Sequence, residues 1–160
     1  MPAQRLFFER EIDLPRAIVW DALVDPELVS GWLAEAEIDP IVGGRYDLDW
    51  LHSTDPQTSG IIDELREPHT LVVDTNNRGR IDFRLDETSG GSRGSVTILR
   101  LAVSLELEAA FAARVRANWM IGLDQLEELL RGHPVDWANW DRDRMGTWTE
   151  YRNLFASSRL

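Results

Sequence analysis

The chain is expected to fold as a single α+β domain, with a curved antiparallel sheet of about six strands wrapped around one long C-terminal helix. Three observations predict this. Apolar residues alternate with polar ones through much of residues 38–103, with turn signals between the runs. A helical period takes over from about Glu106 to Arg131. The turns between the strand-like runs are short, so consecutive strands are antiparallel neighbours, and the long helix must bury its stripe against them. The 160 residues suit one domain. A domain of that size buries roughly 70% of its unfolded surface and needs no covalent staple.

Leu6 to Ile12 reads as the first strand. Pro15 sits where a helix can begin, because its missing N–H would be unpaired there anyway. Ala17, Ile18, Trp20, Ala22 and Leu23 follow at helical spacing. Asp25-Pro26 breaks this helix and starts another through Leu28, Val29 and Trp32. Gly43-Gly44 signals a turn or bulge. Tyr46, Leu48, Trp50 and His52 then alternate with Arg45, Asp47, Asp49 and Leu51. Asp55-Pro56 marks a loop. Gly60 to Arg66 and Leu71 to Thr75 form the next pair of strands, and Asn76-Asn77-Arg78-Gly79 is a hairpin signal. Ile81, Phe83 and Leu85 alternate with charged residues. A loop at Ser89 to Gly94 leads to the last strand, Ser95 to Val103. In the long helix Val115, Trp119, Leu123, Leu126 and Leu130 make one apolar stripe, which Gly132 and Pro134 terminate.

Composition removes several functions. There is no cysteine, hence no disulfide, zinc thiolate site or cysteine nucleophile. The net charge is −11 and all 17 basic residues are arginine. Such a surface repels nucleic acid and anionic lipid, and no basic run argues otherwise. No segment approaches the ~20 apolar residues of a membrane span, and Met1 to Arg10 lacks a signal-peptide core. A cytoplasmic protein is expected.

The domain is expected to span residues 1–132, leaving residues 133–160 as an aromatic-rich extension. Trp137, Trp140, Met145, Trp148, Tyr151, Leu154 and Phe155 fall in it, at amphipathic spacing from Arg142 on. Aromatics this large are costly to leave in water. They cover either the domain's own outer face or a partner, such as a second copy of the chain, or they form a lid over the cavity.

No catalytic constellation stands out. Gly90-Gly91-Ser92-Arg93-Gly94 matches a nucleophile-elbow pattern, but that device needs a strand, a turn and a helix, and here it joins two strands. His52, His69 and His133 are scattered, and Asp47-x-Asp49 and Asp141-x-Asp143 lack the rest of a calcium loop, so no metal site is expected. No nucleotide motif is present, and no cofactor is expected. His52, at the end of its strand, and Glu64, inward-facing by alternation from Ile62, are the two groups able to serve as acid, base or ligand contact. The plain alternatives are a rim histidine and a salt-bridged glutamate. Trp119, mid-helix, is either core or cavity wall.

Four segments together carry a family resemblance. Trp20-Asp21-Ala22-Leu23-Val24-Asp25-Pro26-Glu27-Leu28 with Trp32 resembles the opening of the AHSA-type proteins, homologues of the activator of the ninety-kilodalton heat-shock chaperone's ATPase. Gly43-Gly44-Arg45-Tyr46-Asp47-Leu48 is similar to the family's glycine-glycine-aromatic strand. Gly60 to Leu71 resembles its "G-x-v-x-E-v-x-P-P-x-x-L" segment, and Asn118-Trp119 through Leu126 its "G-W…L-d-x-L" helix. The likeness covers roughly residues 6–132 in register. Glu67 replaces one of the paired prolines, Asn118 the glycine before the helix tryptophan, and the last strand has Leu101 or Val103 near the place of a frequent histidine.

The resemblance implies a helix-grip fold of the START/SRPBCC superfamily, with birch-pollen-allergen-like proteins and polyketide cyclases as relatives. It also implies a cavity between sheet and long helix. Superfamily members bind lipids, sterols or polyketides, and a few catalyse cyclisation or dehydration. A small hydrophobic ligand is therefore expected, walled by Trp32, Tyr46, Leu48, Trp50, Ile62, Phe83, Leu85 and Trp119, with His52 and Glu64 as polar contacts. The alternatives are a protein-interaction or co-chaperone-like module, with a link to stress response, and a cyclase or hydratase using His52 or Glu64.

Overall fold

The computed structural model describes residues 3–157. Of the expected domain, residues 1 and 2, and of the expected extension, residues 158–160, lie outside the described residues. The elements are β1 (Ala3–Ile12), α1 (Arg16–Val24), α2 (Pro26–Val29), β2 (Glu35–Ile38), β3 (Tyr46–Asp49), β4 (Gly60–Arg66), β5 (Thr70–Thr75), β6 (Arg80–Ser89), β7 (Ser95–Glu106), α3 (Ala109–Leu130) and α4 (Trp140–Ser157). A 3₁₀ turn at Trp137–Asn139 precedes α4. The main sheet has five strands in the order β1-β7-β6-β5-β4, and β2 and β3 form a separate hairpin. Every pairing is antiparallel.

Alternation along the strands builds the core directly. Phe8, Leu101, Phe83, Leu71 and Leu65 lie opposite one another across all five strands. Leu6, Val103, Ile81, Val73 and Ile62 form the next row on the same face. These rows meet Trp119, Leu123 and Leu126 of α3 in one hydrophobic cluster. Trp119 stands edge-on to Phe83, with ring centroids 6.4 Å apart. Arg10, also on the inner face, binds α3 through Asp124 and Glu127 at 2.8 and 2.6 Å.

The β2–β3 hairpin is held to β4 by backbone bonds of Ile62 with Gly43 and Gly44, at 2.7 and 2.9 Å, and just before that strand Leu48 pairs with Thr58 at 2.8 and 2.9 Å. The approach is close at Gly60, where a Cβ would lie 2.5 Å from the Tyr46 carbonyl oxygen. The strand expected through His52 ends at Asp49, because its partner β2 has only four residues to pair with it. His52 therefore lies in the connection to β4 and not on a strand.

α1 ends against Asp25-Pro26, and the Asp25 side chain caps α2 by accepting from the Glu27 N–H at 3.0 Å. The last carbonyls of α1 lack helical partners. Two side chains supply them: the Trp32 indole donates to Ala22 O at 2.7 Å and the Tyr46 hydroxyl to Leu23 O at 2.6 Å. α3 closes at Gly132, which has a φ of 92°. The Gly132 N–H donates to Leu129 O at 2.8 Å and that of His133 to Glu128 O at 2.9 Å, a Schellman pair.

After α3 the chain doubles back and α4 lies on the side of α3 away from the sheet. Ile121, Val135 and Trp140 form a second small cluster there, with Trp137, Trp148 and Tyr151 packed around it. Three consecutive carbonyls fasten this layer. Ser30 O accepts from the Trp137 indole at 2.6 Å, Gly31 O from the Val135 N–H at 2.9 Å, and Trp32 O from Gln125 Nε2 at 2.7 Å. Thus α3 is buried on two faces and not on one stripe alone.

Candidate functional site

Arg114, Asn118, Ile121, Gly122 and Gln125 recur at helical spacing on the α3 face turned from the sheet. They form one side of a cleft of about 450 Å3, open to solvent on one side. α4 supplies Trp140, Met145 and Trp148 opposite. The β3–β4 connection contributes Trp50, His52 and Asp55, and the β5–β6 turn contributes Arg78. Trp32 and Leu33, in the turn that follows α2, underlie the floor.

Hydrogen bonds fix these walls. Trp50 Nε1 donates to Thr58 Oγ1 at 3.0 Å, and that hydroxyl donates to Asn77 Oδ1 at 2.7 Å. Asn77 in turn donates to the carbonyls of Pro56 and Gln57, pinning the connection to the hairpin turn. Arg78 lies over the Trp50 ring, 4.1 Å from its centroid, and binds Asp55 at 2.8 Å. Gln125 is buried and uses both ends of its amide: Nε2 on Trp32 O, and Oε1 accepting from Trp140 Nε1 at 2.8 Å. Trp148 Nε1 donates to Asn118 Oδ1 at 2.8 Å.

Gly122 is the opening in the floor. A Cβ built there would meet, beyond the helix's own backbone, one atom within 4 Å, the Trp32 Cζ3 at 3.9 Å. A glycine inside a helix costs about 1 kcal/mol relative to alanine. Here that cost leaves space where a side chain would fill the cleft.

His52 stacks on Trp140 and Trp137, at centroid distances of 4.2 and 5.3 Å. Its Nδ1 is shielded from water and has no hydrogen-bond partner among the described residues. A shielded lone pair costs less than a shielded N–H, which favours the neutral Nε2–H tautomer. Burial first, and the Arg78 charge second, hold its pKa below the ordinary value, against smaller opposite effects of Asp141 and Asp55. The folded state therefore resists a proton that the unfolded chain takes up near pH 6.5, so stability falls as pH drops below about 6.5. Thermal melts of the wild type and His52→Gln between about pH 7.5 and pH 5 are expected to converge toward acid, the wild type losing more. Parallel curves contradict this assignment.

Of the residues expected around a ligand, the structure brings Trp32, Trp50 and His52 to the cleft. It places Tyr46, Leu48, Ile62, Phe83, Leu85 and Trp119 in the packed core. Tyr46 is there because its hydroxyl caps α1, the others because the sheet and α3 close on them. Glu64 lies on the outer face. A β-bulge between Ile62 and Glu64 shifts the register, so Leu65 turns inward and Glu64 pairs with Arg66 and Arg84. Of the two acid–base candidates, only His52 borders the cleft. Ser92 lies in the β6–β7 loop and donates to Asp13 at 2.5 Å. Arg78, Arg114, Gly122 and Gln125 were not expected as wall residues; Trp140 and Trp148 were expected only within an extension that covers the outer face, a partner or the cavity. A glycine interrupting a helical stripe was the available signal for Gly122.

A family model described as "Activator of Hsp90 ATPase homolog 1-like protein" matches residues 13–131. The chain belongs to that family. No curated protein matches it. Among solved structures, this AHSA1-family chain is similar to CalU16 from Micromonospora echinospora, with a TM-score of 0.67 and 22% identity over 97% of this chain and 88% of that one. It is similar also to protein MLL2253 from Mesorhizobium loti, with a TM-score of 0.68 and 22% identity over 82% and 100%. DynU16, from the dynemicin biosynthetic locus, aligns with a TM-score of 0.63 and 17% identity over 81% of this chain and 48% of that one. These likenesses establish the helix-grip fold. A match over 97% of the chain takes in most of the α4 region, so the CalU16 likeness extends past the AHSA1 segment.

Proposed function

We propose that this chain is a receptor for a small hydrophobic molecule, held in the cleft between α3, α4 and the β3–β4 connection. The observation that carries the reading is Gly122, a mid-helix glycine whose side-chain direction opens onto an aromatic-lined cleft of about 450 Å3. That volume is within the range of small-ligand sites, and the lining combines tryptophan rings with polar side chains such as Arg114, Asn118 and Gln125. The family background, as a ligand-binding group, agrees with it.

The interaction-module alternative loses its best support, because the tail tryptophans are already engaged. Trp137, Trp140 and Trp148 each donate an indole hydrogen bond within the chain. No described helix is long and apolar enough to cross a membrane.

Titration with a panel of bicyclic and tricyclic hydrophobic ligands tests the proposal, read by melting temperature and tryptophan emission. A ligand at a hundred times its Kd adds about 2.7 kcal/mol of stability. At least one ligand is expected to raise the melting temperature saturably in the wild type and to leave Gly122→Leu unchanged. That variant fills the cleft and improves helix propensity. No shift with any ligand, or equal shifts in Gly122→Leu, contradicts the receptor role.

A further inference from the structure

We propose that the cleft takes a planar aromatic anion, its ring between the tryptophans and its charged group on Arg114. This inference rests on the receptor reading and adds the chemical class of the ligand.

The charge arrangement is the first support. The lining carries three charged residues, Asp55, Arg78 and Arg114. Asp55 and Arg78 form an ion pair, at 2.8 Å, and neutralise each other. The Arg114 guanidinium forms no ion pair or hydrogen bond among the described residues. Its helical neighbours at three and four positions, Ala110, Phe111, Ala117 and Asn118, offer no carboxylate. Arg114 is exposed, and of the three charged residues in the lining it alone has no ion pair among the described residues. Guanidinium forks bind carboxylates and related oxyanions through paired charge-assisted hydrogen bonds.

The shape of the lining is the second. Trp50, Trp140 and Trp148 line the cleft from two sides, with Arg78 on one face of Trp50 and His52 stacked on Trp140. The Arg78 guanidinium on Trp50 adds a third planar surface. Rigid planes held by indole hydrogen bonds to Thr58, Gln125 and Asn118 suit a flat ring system better than a flexible alkyl chain. Gly122 leaves the depth for that ring to enter.

Three matched probes test this by calorimetric or fluorescence titration near pH 7.5: 2-naphthoate, its neutral isostere 2-naphthamide, and trans-decalin-2-carboxylate. Naphthoate is expected to bind about tenfold or more tightly than naphthamide, the scale of one charge-assisted hydrogen-bonded contact. It is also expected to exceed the decalin carboxylate by several-fold, the scale of one aromatic contact. In Arg114→Gln the naphthoate-to-naphthamide ratio should collapse toward one, and Arg114→Lys should restore part of it. Gly122→Leu should lose all three probes. Equal binding of naphthoate and naphthamide by the wild type, or an undiminished ratio in Arg114→Gln, overturns the anion assignment. Equal binding of the two carboxylates overturns the aromatic one. If these probes fail while another panel ligand binds, the inference falls and the receptor reading stands. If nothing in the panel binds, both fall.

Discussion

Trp140→Ala is expected to release α4 from α3 and leave the rest of the domain folded. Trp140 is 3% exposed, packs on Ile121 and Val135, stacks on His52, and donates its indole N–H to Gln125. Truncating a buried tryptophan costs about 3–5 kcal/mol. It also leaves Gln125 Oε1 without its partner, in a region where an orphaned acceptor costs about 1–3 kcal/mol. The second cluster is small, so this loss falls on one attachment and not on the main core. A detached α4 of 18 residues has little reason to stay helical, since isolated helices near that length are marginal in water. Circular dichroism should show a drop in helix content below the main melting transition, and urea unfolding should lose its two-state form. The cleft loses a wall, so ligand protection should vanish as well. One unbroken transition with less than about 1 kcal/mol of destabilisation contradicts this account of α4.

Trp32→Ala should act differently, because the same chemistry is removed from the main core. Trp32 is 0% exposed, caps Ala22 O through its indole, and receives Gln125 on its own carbonyl. Its loss opens a cavity beneath Gly122 and leaves the α1 terminus with an unpaired carbonyl. A cost of about 3–5 kcal/mol is expected, lowering a single cooperative transition by roughly 10 °C or more. Trp32→Phe keeps much of the packing and should recover about half of the loss. A two-step melt for Trp32→Ala, or a Trp32→Ala melt matching the Trp140→Ala melt, would contradict the division into main core and attached layer.

These two tryptophans also show what the sequence could and could not tell. The period-two runs from Tyr46 to Val103 and the stripe through Trp119, Leu123 and Leu126 were legible, because each follows from burying one face. The resemblance then made cavity walls of inward residues such as Tyr46, Leu48, Ile62, Phe83 and Leu85, which the structure packs in the core. It had no means of knowing that Tyr46 and Trp32 were needed to satisfy the carbonyls of α1, a fact of three-dimensional proximity. Glu64 was misplaced for a similar reason: alternation assumes an unbroken ladder, and one extra residue at the bulge inverts the face. The second buried face of α3 was hidden because its central contact is Gln125, a polar residue that hydropathy assigns to water. Arg78 reaches the cleft through a turn, where spacing carries no directional information, and His52, expected on a strand, reaches it through the connection after β3. The dense aromatic content of the extension was visible, but not the surface it covers.

The most direct test is a crystal structure of the chain with the tightest ligand from the panel. The account predicts the ligand over Gly122, between Trp50, Trp140 and Trp148, with α4 in place on α3. A ligand bound elsewhere, for example on the outer sheet face beside Phe7 and Arg100, with the cleft closed by its own side chains, would contradict it.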